Sequence, residues 1–287
     1  MDRRLRTNLV LVAVLAAAGL LIAYGPRSDK ESPGIPLFDA GEDISRVAVF
    51  ENGKRRFELE RRGDAWRLVA PVELPAAMFQ VDALLAALQE PASRSYALAE
   101  TDPAALGLAE PRWRVRVNGS ELSLGDRAAL GNQRYVRMDD RVYLVNDLLV
   151  YRLQRNPFDY ASKQLLPADA RIQAIQLPSG QRIEKTGNGW TIAPENANLA
   201  ADALQDAVSA WRNARALRVT PANSVPHDGE VQVTFADGTV LRFGVEIRED
   251  QLLLSRVEPA VTYVLPVAAA DELLQATAGA SAAADGG

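Results

Sequence analysis

The amino-acid sequence repeats itself, and this repetition restricts the fold more than any other feature. ISRVAVFENGKRRFELERRGDAWRLVAP from Ile44 is matched by IQAIQLPSGQRIEKTGNGWTIAP from Ile172, and both read strand, turn, strand, turn, Trp-bearing strand, Pro. Downstream, Val81, Leu84, Leu85 and Leu88 fall opposite Leu204, Ala207, Val208 and Trp211, each set spaced as one face of a helix. VRVNGSELSLG from Val115 then parallels VTFADGTVLRFG from Val233. Here Asn118-Gly119 and Asp237-Gly238 are turn pairs able to take positive φ between alternating strands. RVYLVNDLLVYRL from Arg141 parallels AVTYVLPVAAADELLQ from Ala260, a β-rich strand followed by a short helical segment. The offset between copies shrinks from Ile44/Ile172 through Trp66/Trp190 to Tyr143/Tyr263, as small turn deletions in a duplicated unit would leave.

Each copy alternates antiparallel strands with one principal helix, which buries its apolar stripe by packing on one sheet face. The predicted fold class is α+β: a single N-terminal transmembrane helix followed by two repeated antiparallel-sheet-plus-helix units. Predicted boundaries are a cytoplasmic tip and transmembrane helix over 1–26, a linker over 27–41, the first unit over 42–156, a Pro-containing connector over 157–169, the second unit over 170–276, and a disordered Ala-Gly-rich tail over 277–287.

The anchor is read from Thr7 to Pro26, which carries no charged side chain and is long enough to cross a bilayer core of about 30 Å. A cleaved signal peptide would share the basic start at Arg3, Arg4 and Arg6 but should end in small residues. Here the end is Leu21-Ile22-Ala23-Tyr24, and cleavage after Ala16-Ala17-Ala18 would leave Leu20-Leu21-Ile22 at the new terminus. A soluble amphipathic helix would show polar residues every three or four positions, and none occurs between Leu9 and Ala23. The anchored reading is therefore adopted. The arginines before the span place the N-terminus in the cytoplasm and the remainder in the periplasm of a bacterial inner-membrane protein.

Composition narrows the chemistry. Lys plus Arg total 32 against 37 Asp plus Glu, a net charge of -5, which argues against nucleic-acid phosphates as partners. Without cysteine there is no disulfide, thiolate nucleophile or thiolate metal site. The single histidine, His227, removes any two-histidine metal site and reads as an exposed turn residue in ANSVPHDGE. No Gly-x-Ser-x-Gly elbow, Ser-x-x-Lys pair, Walker loop or dinucleotide fingerprint occurs. Asp139-Asp140, between RYVRM and RVYLV, reads as a hairpin turn rather than a carboxylate pair. Catalytic, cofactor and metal residues are accordingly all predicted as none.

Two surface features remain. Lys54, Arg55 and Arg56, with Arg61 and Arg62, form basic runs around the first hairpin that either contact an anionic partner or keep a strand edge solvated. Trp66 and Trp190 occupy equivalent positions, as repeated core anchors do, and Trp211 lies on the helix stripe; Trp113 has no counterpart in the second copy and reads as a surface contact. The predicted interaction surface is therefore Lys54, Arg55, Arg56 and Trp113.

One N-terminal membrane helix, the strand ISRVAVFENG, RRGDAWRLVAPVELPAA, the helix VDALLAALQ and ALGLAEP together resemble the family called domain of unknown function 4340. That pattern is split between the copies: Ala65-Trp66 and Ala76-Ala77 stand in the first where the family usually has Gly-Trp and Ala-Asp, while the second has Gly189-Trp190 and Ala201-Asp202. The resemblance implies an accessory partner of ABC-type exporters, similar to the auxiliary proteins of gliding-motility-like transport systems. Two functions are carried forward. One is a non-enzymatic, membrane-anchored periplasmic scaffold, held in the bilayer by residues 7–26 and partnered with a membrane protein such as ABC transporter subunits. The other is a cell-envelope ligand-binding protein or carboxylate-based enzyme with its site between the two repeats.

Overall fold

Two antiparallel sheets carry the fold, as a computed structural model describing residues 34–38, 43–129, 131–187, 189–194, 201–222 and 227–275 shows. The first sheet is built from β1 (Arg46–Glu51), β2 (Lys54–Arg62), β3 (Ala65–Ala70), β4 (Leu74–Pro75), β5 (Arg94–Ala97), β6 (Trp113–Val117), β7 (Ser120–Arg127), β8 (Gln133–Met138) and β9 (Arg141–Asn146). Its spatial order is β4-β3-β2-β1-β6-β7-β8-β9-β5. Helix α1 (Met78–Gln89) links β4 at one edge to β5 at the other, and the short α2 (Leu148–Leu153) follows β9.

The second sheet comprises β10 (Ile172–Gln176), β11 (Arg182–Thr186), β12 (Gly189–Ala193), β13 (Arg218–Pro221), β14 (Gly229–Phe235), β15 (Val240–Ile247), β16 (Gln251–Arg256) and β17 (Val261–Pro266). Its order, β12-β11-β10-β14-β15-β16-β17-β13, repeats that of the first with the two-residue β4 left out. Helix α3 (Ala201–Asn213) again falls between the two edge strands in sequence, and α4 (Ala269–Leu274) follows the last long strand.

The strands form where apolar and polar residues alternate. In β6, Trp113, Val115 and Val117 are buried while Arg114 and Arg116 are exposed, the two-residue period of a sheet with one covered face. Turns fall at the expected pairs, each with a single left-handed residue: Asn118 (φ 50) closes β6 to β7, and Gly238 (φ 85) closes β14 to β15. The carboxamide of Asn118 also accepts from the Ser45 and Arg46 backbone N–H groups at 3.0 and 3.2 Å, tying this turn to the start of β1. Asp139 sits at φ 53 in the β8–β9 turn, as the hairpin reading requires.

The two principal helices use nearly the same stripe with a small rotation. Val81, Leu84 and Leu88 are buried in α1, and Leu204, Val208 and Trp211 in α3, so the middle anchor moves from the Leu84 position to that of Val208, one residue further along. Trp211 stands at the Leu88 position, and its indole N–H donates to the Leu273 carbonyl at 2.8 Å, tying α3 to α4.

Two segments differ from expectation. The end of the predicted linker is packed: Ile35 and Ala92 exchange two backbone hydrogen bonds of 2.8 Å, and Leu37 is buried. Apolar Leu37 and Phe38 give this stretch something to bury despite its Pro and Gly. The Asn156 to Pro167 connector, for its part, is largely interior. Its Pro157–Tyr160 turn is capped by the Asn156 side chain accepting from Phe158 N–H at 3.0 Å, and Phe158, Tyr160, Ala161, Leu165 and Leu166 are all buried. Ala77 N–H donates to the Tyr160 carbonyl and Ser162 N–H to the Pro75 carbonyl on the first side; Ala216 N–H donates to the Lys163 carbonyl on the second. Buried residues of both sheets and the connector form one continuous apolar cluster.

Among the described residues no helix is long and apolar enough to cross a membrane. The stretch 7–26 assigned to the bilayer lies outside the described residues, as does the tail from 276 to 287.

Candidate functional site

The basic run on β2 is committed to internal ion pairs. Arg55 reaches the Glu58 carboxylate at 2.6 Å, with Arg46 on the other oxygen, and Glu58 is buried between them. Arg56 pairs with Glu51 at 2.7 Å and donates to the Arg155 carbonyl at 3.1 Å. Of the three, Lys54 alone is exposed without such a tie among the described residues.

Trp113 corrects the expectation of a surface aromatic. It is only 4% exposed, because it occupies the inward phase of β6, opposite Glu51 on β1 and Leu124 on β7. Arg56 and Arg112 lie over the indole at 5.4 and 5.7 Å from its ring centroid, and both bond to Glu51. These arginines hold the Glu51 carboxyl below its ordinary range. Lys54, Arg55, Arg56 and Trp113 are therefore mostly parts of a structural ion-pair network around the first hairpin.

The surface with unsatisfied character lies at the seam between the units, in a cleft of about 400 Å³. It is lined by Met78, Phe79 and Gln80 at the start of α1, by Asp159 and Lys163 of the connector, and by Arg215. Phe79 is 78% exposed and Met78 44%, although both belong to a helix whose other face is buried. Asp159 is engaged with Arg155 at 3.5 Å, whereas Lys163 and Arg215 have no carboxylate partner among the described residues. The cleft therefore sets two exposed apolar side chains beside two cations without a carboxylate partner among the described residues. Asp159 is the one carboxylate among its lining residues. The sequence did carry a signal for this cleft: Phe79 stands two residues before Val81, about 200° around the helix from the buried stripe.

The remaining candidate groups are structural. His227 is exposed, with its ring seated over the Gly244 backbone where a side chain would collide. Trp66 is buried in β3, and its counterpart Trp190 is half-buried with its N–H donated to Gln205 at 3.1 Å. No group of three or more His, Cys, Asp or Glu placed to hold a metal occurs among the described residues.

A known family model, described as Domain of unknown function (DUF4340), matches residues 66–230, more than half of the chain. The chain belongs to the DUF4340 family. Neither the curated proteins nor the solved structures give a significant match to it. The ALGLAEP segment within the DUF4340 match has a mechanical role: Leu106 accepts from Asp126 N–H at 2.8 Å, and its carbonyl crosses where a side chain on Gly125 would stand. Leu108 is buried beside it. At the matching place in the second unit the polarity is reversed: the Asp228 N–H donates to the Val245 carbonyl, and the His227 ring rather than a backbone carbonyl covers Gly244. In both units the contact packs a preceding loop against the glycine that ends the hairpin.

Proposed function

We propose that the protein is a membrane-anchored periplasmic scaffold, an accessory that docks against a membrane-protein partner such as the subunits of an ABC-type exporter, and that the two sheets are copies of one ancestral unit. The observation that carries the docking role is Phe79, a large aromatic ring 78% exposed beside a positively charged cleft. Isolated apolar residues are common on surfaces, but Met78 and Phe79 are adjacent and rimmed by Lys163 and Arg215, the composition of an interface anchor. The complementary segment is one with an apolar residue to cover Phe79 and a carboxylate to meet the two cations. The apolar stretch 7–26 supports the anchored address.

The test is purification of the full-length protein from detergent-solubilised membranes, comparing wild type with Phe79→Asp. Exporter subunits are expected to accompany the wild type and to be lost from the variant, whose folding should be unaffected because the ring is exposed. Equal recovery of those subunits with both proteins, or their absence from the wild type, would overturn the reading.

A further inference from the structure

On the outer face of the first sheet most arginines are neutralised: Arg46 and Arg55 by Glu58, Arg116 by Glu121 at 3.0 Å, and Arg67 by Glu73 at 3.1 Å. Two are not. Arg114 on β6 and Arg137 on β8 are exposed and have no carboxylate partner among the described residues; the bond recorded for Arg137 runs to the Asp139 carbonyl at 3.2 Å. The strand register places both beside one residue, since Arg114 faces Ser123 and Ser123 faces Arg137 across three adjacent strands. Adjacent strands lie about 4.8 Å apart, so the two arginine Cα atoms stand roughly 10 Å apart, within reach of a shared ligand above Ser123. All three line a cavity of about 380 Å³, walled on one side by Leu108, Ala109 and Pro111.

We propose that this cavity is a subsite for a phosphate group, carried by a small phosphoester or a lipid headgroup. Two guanidinium forks and a half-buried hydroxyl with no hydrogen bond among the described residues supply donors for several oxygens of one anion. The apolar wall accepts the carbon skeleton attached to it. Glu121 and Asp139 also line the cavity; Glu121 is held by Arg116, and the Asp139 carboxylate, with no ion pair among the described residues, sets one negative charge against the two arginines. The second unit lacks the arrangement: Gln232 faces Arg242, and Gln232 itself donates to Glu230 at 2.7 Å. What both units share is architecture; the arginine pair belongs to the first alone. The subsite is independent of the seam cleft.

The experiment is calorimetric titration of the full-length protein in neutral detergent with glycerol 3-phosphate, with glycerol, and with dihexanoyl phosphatidylglycerol below its micellar concentration. Saturable binding of a phosphate-bearing probe and none of glycerol is expected. Arg114→Gln and Arg137→Gln should each weaken it about tenfold or more, and Arg242→Gln should leave it unchanged. Binding of both phosphate probes would identify a phosphoester site, and binding of the lipid analogue alone a headgroup site. Absence of binding by either probe, or affinity unchanged in both single variants with wild-type melting temperatures, would overturn the proposal.

Discussion

Tyr160 stacks on Phe57 with ring centroids 4.6 Å apart and 24° between planes, joining the connector to β2 of the first sheet. Both side chains are fully buried, and the Tyr160 hydroxyl donates to the Arg152 carbonyl at 2.9 Å, near the end of α2. One ring thus belongs at once to the sheet, the connector and the helix that precedes it.

Tyr160→Ala is expected to cost about 3–5 kcal/mol and Tyr160→Phe about 1 kcal/mol, measured by chemical denaturation. Because the apolar cluster is continuous through the connector, the alanine variant should destabilise both sheets together. Separate transitions, with the second sheet unaffected, would show that the connector does not couple them.

Burial also raises the ionisation of Tyr160 and Tyr263 above the ordinary phenol value. For a group whose folded pKa is raised, the stabilisation is complete below the unfolded value near 10 and is lost as pH rises beyond it. Absorbance titration should show that two of the seven tyrosines resist ionisation around pH 10 until the fold opens. Normal titration of all seven in the folded protein would contradict this burial.

Glu51 has the opposite sign. Arg56 and then Arg112 lower its carboxyl from the ordinary value of 4.5, so its stabilisation is present above that value and fades as pH falls below it. Glu51→Gln is expected to lower the melting temperature by about 2–4 °C at pH 7 and by much less at pH 3. A deficit independent of pH would mean that packing over Trp113, not charge, is what Glu51 supplies.

Gly125 and Gly244 occupy matching places and should differ in tolerance. A Cβ on Gly125 would stand 2.2 Å from the Leu106 backbone carbonyl, whereas on Gly244 it would meet the ring of exposed His227. Gly125→Ala is expected to destabilise by roughly 2–3 kcal/mol and Gly244→Ala by about 1 kcal/mol or less, since an exposed side chain can turn aside and a buried carbonyl cannot. Thermal melts of the two variants decide it.

Much of the architecture is legible in the amino-acid sequence because its determinants are local. Alternation in Trp113–Val117 marks a strand, Asn118-Gly119 a turn, and Leu204, Val208 and Trp211 one face of a helix. Where partners are distant, that reading fails. Tyr160 looks like a linker residue until Phe57 covers it, and Ile35 until Ala92 pairs with it. The burial of Trp113, by contrast, is legible: it shares the phase of Val115 and Val117 against Arg114 and Arg116, and that apolar phase turns to the core. The seam cleft draws on the start of α1, the connector and Arg215, so no single window of sequence contains it. Its one local trace is Phe79, an aromatic residue standing outside the stripe.

The docking role is tested most directly by a photo-crosslinking amino acid introduced at position 79 of the full-length protein in living cells, with position 257 as the comparison. Val257 is 83% exposed and lies in the second unit, so it controls for exposure alone. The expected result is a discrete adduct with a membrane-protein subunit of an exporter from position 79 and none from position 257. No adduct at 79, or the same products from both positions, would contradict the proposal that this face is where the protein docks.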